Sequence, residues 1–119
     1  METFKDSGLH PQIVKGVEAL GFVEPTPIQK MSIEHLLENT TDLIAFAQTG
    51  TGKTAAFSLP ILHQLEEDVQ HVQAIILAPT RELCLQIATD IESYSKFMPV
   101  KVTAVYGGAP VTKQIKELQ

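Results

Sequence analysis

One glycine-interrupted turn constrains this chain more than any other stretch. It follows Leu43–Phe46, an apolar run of strand length, and residues 47–54 then read AQTGTGKT. Ala55 and Ala56, directly after the turn, favour a helix. A turn of this kind can curl its backbone N–H groups around an anion at the N-terminus of a helix. The pattern therefore predicts a phosphate-binding loop between a strand and a helix.

Four residues of the turn carry its chemistry. Gly50 and Gly52 let the backbone approach a phosphate without a clash from Cβ. Lys53 would reach the outer phosphates, and the hydroxyl of Thr54 would ligate Mg²⁺. The alternative is a strand, a glycine turn and a helix that bind nothing. The adjacent lysine and threonine favour the phosphate interpretation.

Composition and charge narrow the functional classes. The chain has 119 residues and an ordinary globular composition. Its single cysteine, Cys84, excludes an internal disulfide and favours a cytoplasmic location for the protein. Its net charge of −5 argues against a broad basic face for nucleic acid. Residues 1–80 carry four lysines against ten acidic side chains, whereas residues 81–119 carry five basic and four acidic ones. A polyanion site is therefore expected in the final third, through a few placed contacts.

Helical and strand patterns alternate along the chain. Apolar runs at 72–78 and 100–106 predict two further buried parallel strands. Helices are predicted from a cap at Ser7 to Gly21, from Thr26 to about Glu38, from Gly52 to about Glu67, from Arg81 to about Phe97, and from Pro110 onward through Val111, Ile115 and Leu118. This order indicates an α/β fold, a parallel sheet with helices on both faces.

Three features fall at the carboxyl ends of the predicted strands, where ligands bind in such sheets. They are the phosphate loop, Pro79–Leu83 and Gly107–Gly108. By itself Arg81 reads as a surface ion-pair residue, and the glycine pair reads as a plain turn. Their shared edge predicts a common groove for a polyanion.

Gln29 has two interpretations that the sequence leaves open. Thr26-Pro27-Ile28-Gln29 reads as a capping box, with Gln29 reaching back to the N-cap residue Thr26. The functional interpretation is that the Gln29 amide pairs its donor and its acceptor with the edge of adenine. Phe22, shortly upstream, could then stack on the base.

Together these segments resemble the start of a DEAD-box RNA helicase, over nearly the whole chain. The Q motif of that family is matched by Phe4, Gly21-Phe22 and Pro25–Gln29, and residues 47–54 have the form of its motif I, which carries alanine first. Pro79–Leu83, PTREL, resembles motif Ia, and Gly107–Gly108 resembles the GG motif.

The resemblance implies a RecA-like P-loop NTPase domain that uses ATP and Mg²⁺ for ATP-dependent RNA unwinding or remodelling. It implies ATP contacts from Phe22, Thr26, Gln29, Ala47, Gln48, Thr49, Gly50, Thr51, Gly52, Lys53 and Thr54. Of these, Lys53 and Thr54 would be catalytic, and Thr54 would hold the metal. Sequence-independent contacts to the RNA sugar-phosphate backbone would come from Pro79, Thr80, Arg81, Glu82, Gly107 and Gly108.

Residues 1–119 contain no Asp-Glu-Ala-Asp, so they are expected to be the N-terminal portion of the first helicase domain, with the rest of that domain and the second domain absent. The resemblance implies that the strands beside the phosphate-loop strand come from later sequence. Alone, the chain is expected to be inactive. Because its strand edge is unpaired and apolar, it is also expected to be oligomeric, unstable, or completed by chain from another molecule. The alternatives are a non-catalytic nucleotide-binding or partner-binding fragment, and a P-loop ATPase that acts on something other than RNA.

Overall fold

Five α-helices and one short 3₁₀ helix make up the regular structure of the computed structural model, which describes residues 1–119. The 3₁₀ helix is Phe4–Asp6, and the α-helices are α1 (Pro11–Ala19), α2 (Pro27–Glu38), α3 (Lys53–Gln64), α4 (Arg81–Tyr94) and α5 (Val111–Leu118). All five predicted α-helices are present. None of them has the length and apolar character needed to cross a bilayer.

The predicted start of the first helix is wrong. Helix α1 begins at Pro11, after the N-cap residue His10, and not after Ser7. The Ser7 hydroxyl instead donates a hydrogen bond to the Phe4 carbonyl at 2.6 Å, which closes the 3₁₀ turn. Gly8, with φ of +83°, then redirects the chain before the helix begins.

Helices α3 and α4 end slightly earlier than predicted. At the end of α4, the Ile91 carbonyl accepts both the backbone N–H and the hydroxyl of the C-cap residue Ser95, at 2.9 Å and 2.8 Å. After α3, the Gln73 side chain bonds both backbone groups of Glu66, at 2.8 Å and 3.0 Å. The Gln73 bonds satisfy backbone groups that a longer α3 would otherwise have bonded.

The core lies between the helices. Helix α3 packs against α2, α4 and α1, and α1 also packs against α4 and the 3₁₀ helix. The buried cluster consists of Phe4, Leu9, Ile13, Val17, Ile33, Ala55, Leu59, Leu62, Ile87, Ile91 and Tyr94. Burial of these apolar side chains is the main force that holds the helices together.

The structure does not show the predicted sheet. Segments 43–46, 72–78 and 100–106 are non-helical, and no backbone hydrogen bond joins any of them to another. Ile76 and Ala78 pack against the helical core, whereas Leu77 between them is 90% exposed. The alternation expected of a strand is therefore present, but a strand ladder also needs a neighbouring strand at hydrogen-bonding distance.

Close packing of α1 on α4 depends on Gly16. A Cβ added to this buried glycine would lie 2.2 Å from the Tyr94 carbonyl oxygen and 3.0 Å from its carbonyl carbon. Both are backbone atoms at the end of α4, so they cannot rotate out of the way. The helix axes can approach this closely only because residue 16 has no side chain.

We expect Gly16→Ala to destabilise the chain by about 2 kcal/mol, since overpacking against a fixed neighbour costs about 1–3 kcal/mol. Helix propensity alone predicts the opposite sign, a gain of about 1 kcal/mol. Chemical denaturation monitored by circular dichroism measures the difference. Gly107→Ala is the matched control, because nothing lies within 4 Å of a Cβ built there. Equal or greater stability of Gly16→Ala would contradict the packing argument.

Candidate functional site

The phosphate loop is a tight turn that leads directly into α3. Gly50 and Gly52 have φ values of +81° and +85°, which glycine adopts without steric cost. The Thr51 hydroxyl donates to the Gln48 carbonyl at 2.6 Å and closes the turn. Gly52 is the N-cap residue of α3, so the first free N–H groups of that helix adjoin the turn.

The start of α2 is hydrogen-bonded to this loop. The Gln29 amide nitrogen donates to the Gly52 carbonyl at 3.3 Å, and the Thr26 hydroxyl donates to the Thr51 carbonyl at 2.8 Å. Gln29 Oε1 also accepts the Thr26 backbone N–H at 2.9 Å, which is the capping-box bond. Gln29 is only 5% exposed. The capping interpretation is therefore confirmed, and the same side chain also reaches the loop.

A hollow of about 510 Å³ opens beside this junction. Its lining comes from the two segments that the junction joins, and consists of Gly21, Phe22, Val23, Glu24, Thr26, Gln29, Gly50 and Gly52. The Phe22 ring is partly exposed, and its centroid lies 6.4 Å from that of Tyr94. Burial, and then the nearby Asp90, raise the pKa of Tyr94 to about 12. The Phe22 ring in the wall of the hollow offers a stacking face for a flat ring.

Phe4 does not line the hollow. It is buried in the core, at 1% exposure, and its backbone N–H donates to the Val23 carbonyl at 3.1 Å. It therefore fixes the link that carries Phe22 and has no place in the site itself.

Lys53 and Thr54 are the first two residues of α3. Lys53 is exposed, and the chain's three salt bridges all involve other residues. Thr54 is partly exposed, and its carbonyl accepts the Ser58 hydroxyl at 2.5 Å. Both side chains border a wider open groove of about 1,020 Å³ that extends from the phosphate loop towards α4.

The two predicted polyanion-binding segments meet each other. The Thr80 hydroxyl caps α4 by accepting the Leu83 N–H at 3.2 Å. A Cβ added to Gly108 would lie 3.2 Å from Arg81 Nη1, so the guanidinium sits against the glycine turn. Pro79, Glu82 and Gly107 are exposed around it. Two of the three features predicted to share one edge, Pro79–Leu83 and Gly107–Gly108, are therefore in contact.

The sequence analysis missed Tyr106 and Gln114. The Arg81 guanidinium carbon lies 4.9 Å from the centroid of the Tyr106 ring. Gln114 is 7% exposed and bonds both backbone groups of Tyr106 at 2.9 Å. The sequence pattern of α5 predicted burial of its apolar residues, but the structure buries Gln114 instead. The apolar residues are exposed; these are Val111 (68%), Ile115 (52%) and Leu118 (54%). In the sequence, only the position of Tyr106 directly before the glycine pair could have indicated a role near Arg81.

Comparison with known proteins decides the family. The family model described as DEAD/DEAH box helicase matches residues 26–119. This chain belongs to that family. The ATP-dependent RNA helicase CshA of Listeria monocytogenes is 48% identical over 119 residues, which is 100% of this chain and 23% of CshA.

Solved DEAD-box structures share the fold. The DEAD box protein of Methanococcus jannaschii matches with a TM-score of 0.92 and 38% identity, over 98% of this chain and 32% of that one. Prp28 of Chaetomium thermophilum bound to ADP matches with a TM-score of 0.87 and 38% identity, over 97% of this chain and 29% of Prp28. Dbp5 of S. cerevisiae bound to RNA and ADP BeF3 matches with a TM-score of 0.81 and 33% identity, over 93% of this chain and 30% of Dbp5. The fold is therefore that of a RecA-like helicase domain.

The chain spans less than a third of the length of each of these relatives. The shared part contains the phosphate loop, the start of α2, the start of α4 and the glycine turn, the four places to which the DEAD-box resemblance assigns its motifs.

We expect Gly52→Ala to disturb the junction between α2 and the DEAD-box phosphate loop. A Cβ there would lie 2.2 Å from Gln29 Nε2, at a φ that L-residues rarely adopt, so we expect a loss of about 1–3 kcal/mol of unfolding free energy. In a Gln29→Ala background the same substitution should cost less, because the clash with Gln29 is gone and only the backbone strain and the 3.2 Å contact with Thr26 Oγ1 remain. Equal costs in both backgrounds, measured by denaturation, would show that Gln29 does not hold the loop.

Proposed function

We propose that this chain supplies the ATP-binding segment and part of the RNA-binding groove of an ATP-dependent RNA helicase or RNA-remodelling enzyme. The observation that carries the proposal is the junction of Thr26 and Gln29 with the carbonyls of Thr51 and Gly52. It fixes a hollow of about 510 Å³ beside the glycine turn, so that the base of an adenine nucleotide would lie in the hollow and its phosphates at the turn. CshA, by its name an ATP-dependent RNA helicase, and the ADP-bound Prp28 structure support this function.

Base recognition would come from Phe22 and Gln29. A glutamine amide has capacity for four hydrogen bonds, two as donor and two as acceptor. Gln29 uses one of each within the protein. One N–H and one lone pair therefore remain for the donor and acceptor edge of adenine, and the partly exposed ring of Phe22 offers a stacking face.

Phosphate binding would come from the turn at 47–52 and from the start of α3. The free N–H groups at the N-terminus of α3 and the dipole of that helix favour an anion beside the turn. Lys53, the first residue of the helix, adds a full positive charge at the same place. The Thr54 hydroxyl fits as a ligand of Mg²⁺, since it is a hard oxygen donor at the second residue of the helix and is partly exposed. When bound with ATP, the metal neutralises charge on the transferred phosphate. Lys53 would stabilise the same charge during transfer.

RNA binding would use the sugar-phosphate backbone. Thr80, Arg81 and the Gly107–Gly108 turn offer a hydroxyl, a guanidinium and exposed backbone N–H groups, and all three suit phosphate oxygens rather than base edges. The Dbp5 structure that contains RNA supports RNA as the ligand of this groove. Contacts of this kind are independent of RNA sequence.

Self-association, or the binding of another protein, is a second candidate function for the chain by itself. The specific observation is the exposure of apolar side chains on the unpaired segments, with Ile44 83%, Phe46 90% and Leu77 90% exposed. Exposed apolar patches of this kind favour intermolecular contact. We also propose a cytoplasmic location, which the single free cysteine, Cys84, supports.

Substitutions at Lys53 and Arg81 should separate nucleotide from RNA. In a chimera that continues this chain with the remainder of CshA, Lys53→Ala should abolish ATP hydrolysis, because it removes the cation at the transferred phosphate. Arg81→Ala should keep nucleotide affinity near that of the parent and weaken binding of several unrelated RNAs to the same extent. Nucleotide fluorescence titration and RNA filter binding measure the two affinities.

Lys30→Ala is the matched control for both substitutions, since Lys30 is an exposed lysine of α2 with no proposed contact. A loss of RNA binding that depends strongly on RNA sequence would contradict a backbone contact by Arg81. Unchanged hydrolysis in Lys53→Ala would contradict the phosphate assignment.

The 119-residue chain alone should show no RNA-stimulated ATP hydrolysis, and it should form oligomers. The motifs found in residues 1–119 include no acid that orients the attacking water, and apolar segments are exposed. Phosphate release with and without RNA tests the first expectation, and light scattering tests the second. RNA-dependent phosphate release from a monomeric sample would overturn both.

A further inference from the structure

Arg81 is held by an aromatic ring and not by an acid. Its guanidinium carbon lies 4.9 Å from the centroid of the Tyr106 ring, within the range of a cation–π contact. The chain's three salt bridges join other groups. A ring orients the guanidinium plane without using its N–H donors, so these donors stay available for a ligand.

Gln114 fixes the backbone that carries the ring. Its side-chain oxygen accepts the Tyr106 N–H at 2.9 Å, and its side-chain nitrogen donates to the Tyr106 carbonyl at 2.9 Å and to the Ala109 carbonyl at 3.5 Å. These bonds bracket the Gly107–Gly108 turn. Gln114 is 7% exposed, so they are shielded from competing water.

The glycine turn is also shaped to receive Arg81. Gly108 has φ of +85°, and a Cβ there would lie 3.2 Å from Arg81 Nη1. The guanidinium carbon therefore lies over the ring of Tyr106, and one guanidinium nitrogen lies beside Gly108. Two contacts from one turn limit the directions in which this side chain can point.

We propose that Tyr106 and Gln114 are positioning residues for the contact between Arg81 and an RNA phosphate. This inference rests on the RNA contact of Arg81 proposed above. Tyr106 orients the guanidinium, and Gln114 holds the turn that carries Tyr106. An arginine that is ordered before binding loses less conformational freedom when it meets its ligand, which raises affinity.

Replacement of the ring tests the role of Tyr106. Tyr106→Leu should weaken binding of single-stranded oligouridine by about three- to fivefold, the size expected for one cation–π contact. Tyr106→Phe should bind as the parent does, because the ring is kept and only the hydroxyl is lost. Filter binding of oligouridine to the CshA chimera defined above measures these affinities. Equal losses in Tyr106→Phe and Tyr106→Leu would overturn the role of the ring.

A double-mutant cycle separates positioning from direct contact with RNA. If Tyr106 acts through Arg81, Tyr106→Leu should cause no further loss in an Arg81→Ala background. Gln114→Ala should behave in the same way, and Gln12→Ala, an exposed glutamine on α1, is its control. Multiplicative losses from Tyr106→Leu and Arg81→Ala would show that Tyr106 meets RNA itself, and would overturn the proposal.

NMR of the CshA chimera without RNA, with labelled arginine, provides an independent measurement. The ring should shift the side-chain proton signals of Arg81 upfield in the parent and in Tyr106→Phe, and this shift should be lost in Tyr106→Leu. Its absence in the parent would overturn the positioning role, even if Arg81→Ala weakens RNA binding. A normal affinity in Arg81→Ala would instead overturn the proposed RNA contact, whatever the ring does.

Discussion

The hydrogen bond between the Gln29 amide and the Gly52 carbonyl is the contact on which the candidate site depends. It joins α2 to the turn before α3, and the Thr26 hydroxyl adds a second bond to the neighbouring Thr51 carbonyl. Each bond contributes about 1 kcal/mol in net terms. Their larger effect is geometric, because they hold the hollow beside Phe22 at a fixed place relative to the turn. Glycine is favoured at residue 52 because its φ is +85°, which L side chains rarely adopt.

The two functional cations of the proposed enzyme occupy equivalent places. Lys53 is the first residue of α3, after Gly52 as N-cap, and Arg81 is the first residue of α4, after Thr80 as N-cap. At such a place a side-chain charge and the free N–H groups of the helix act in the same direction on an anion. This arrangement explains how a chain with a net charge of −5 can be suited to two polyanionic ligands. The favourable fields are local and do not require a basic surface.

Local features of the fold could be predicted from the sequence, and those that require distant partners could not. The cap of α2 by Thr26 and Gln29, the glycine turn before α3 and the cap of α4 by Thr80 depend on residues within one turn of one another. Sheet pairing depends on strands far apart in sequence, and segments 43–46, 72–78 and 100–106 have no partner among themselves. Gln114 was missed because a buried polar residue is recognised only when its partners, the backbone groups of Tyr106, are known.

The three unpaired segments have a consequence for the motions of the chain. Their amide groups make no backbone hydrogen bonds, whereas those of α1 to α4 are bonded within packed helices. Hydrogen exchange follows this difference, so amides at 72–78 are exposed to deuterium without any opening of the structure, while those near Leu59 and Ile91 exchange only when the core opens. Proteases should likewise cleave the unpaired segments faster than the packed helices. The helical core and the segments predicted as strands thus differ in stability within a single chain.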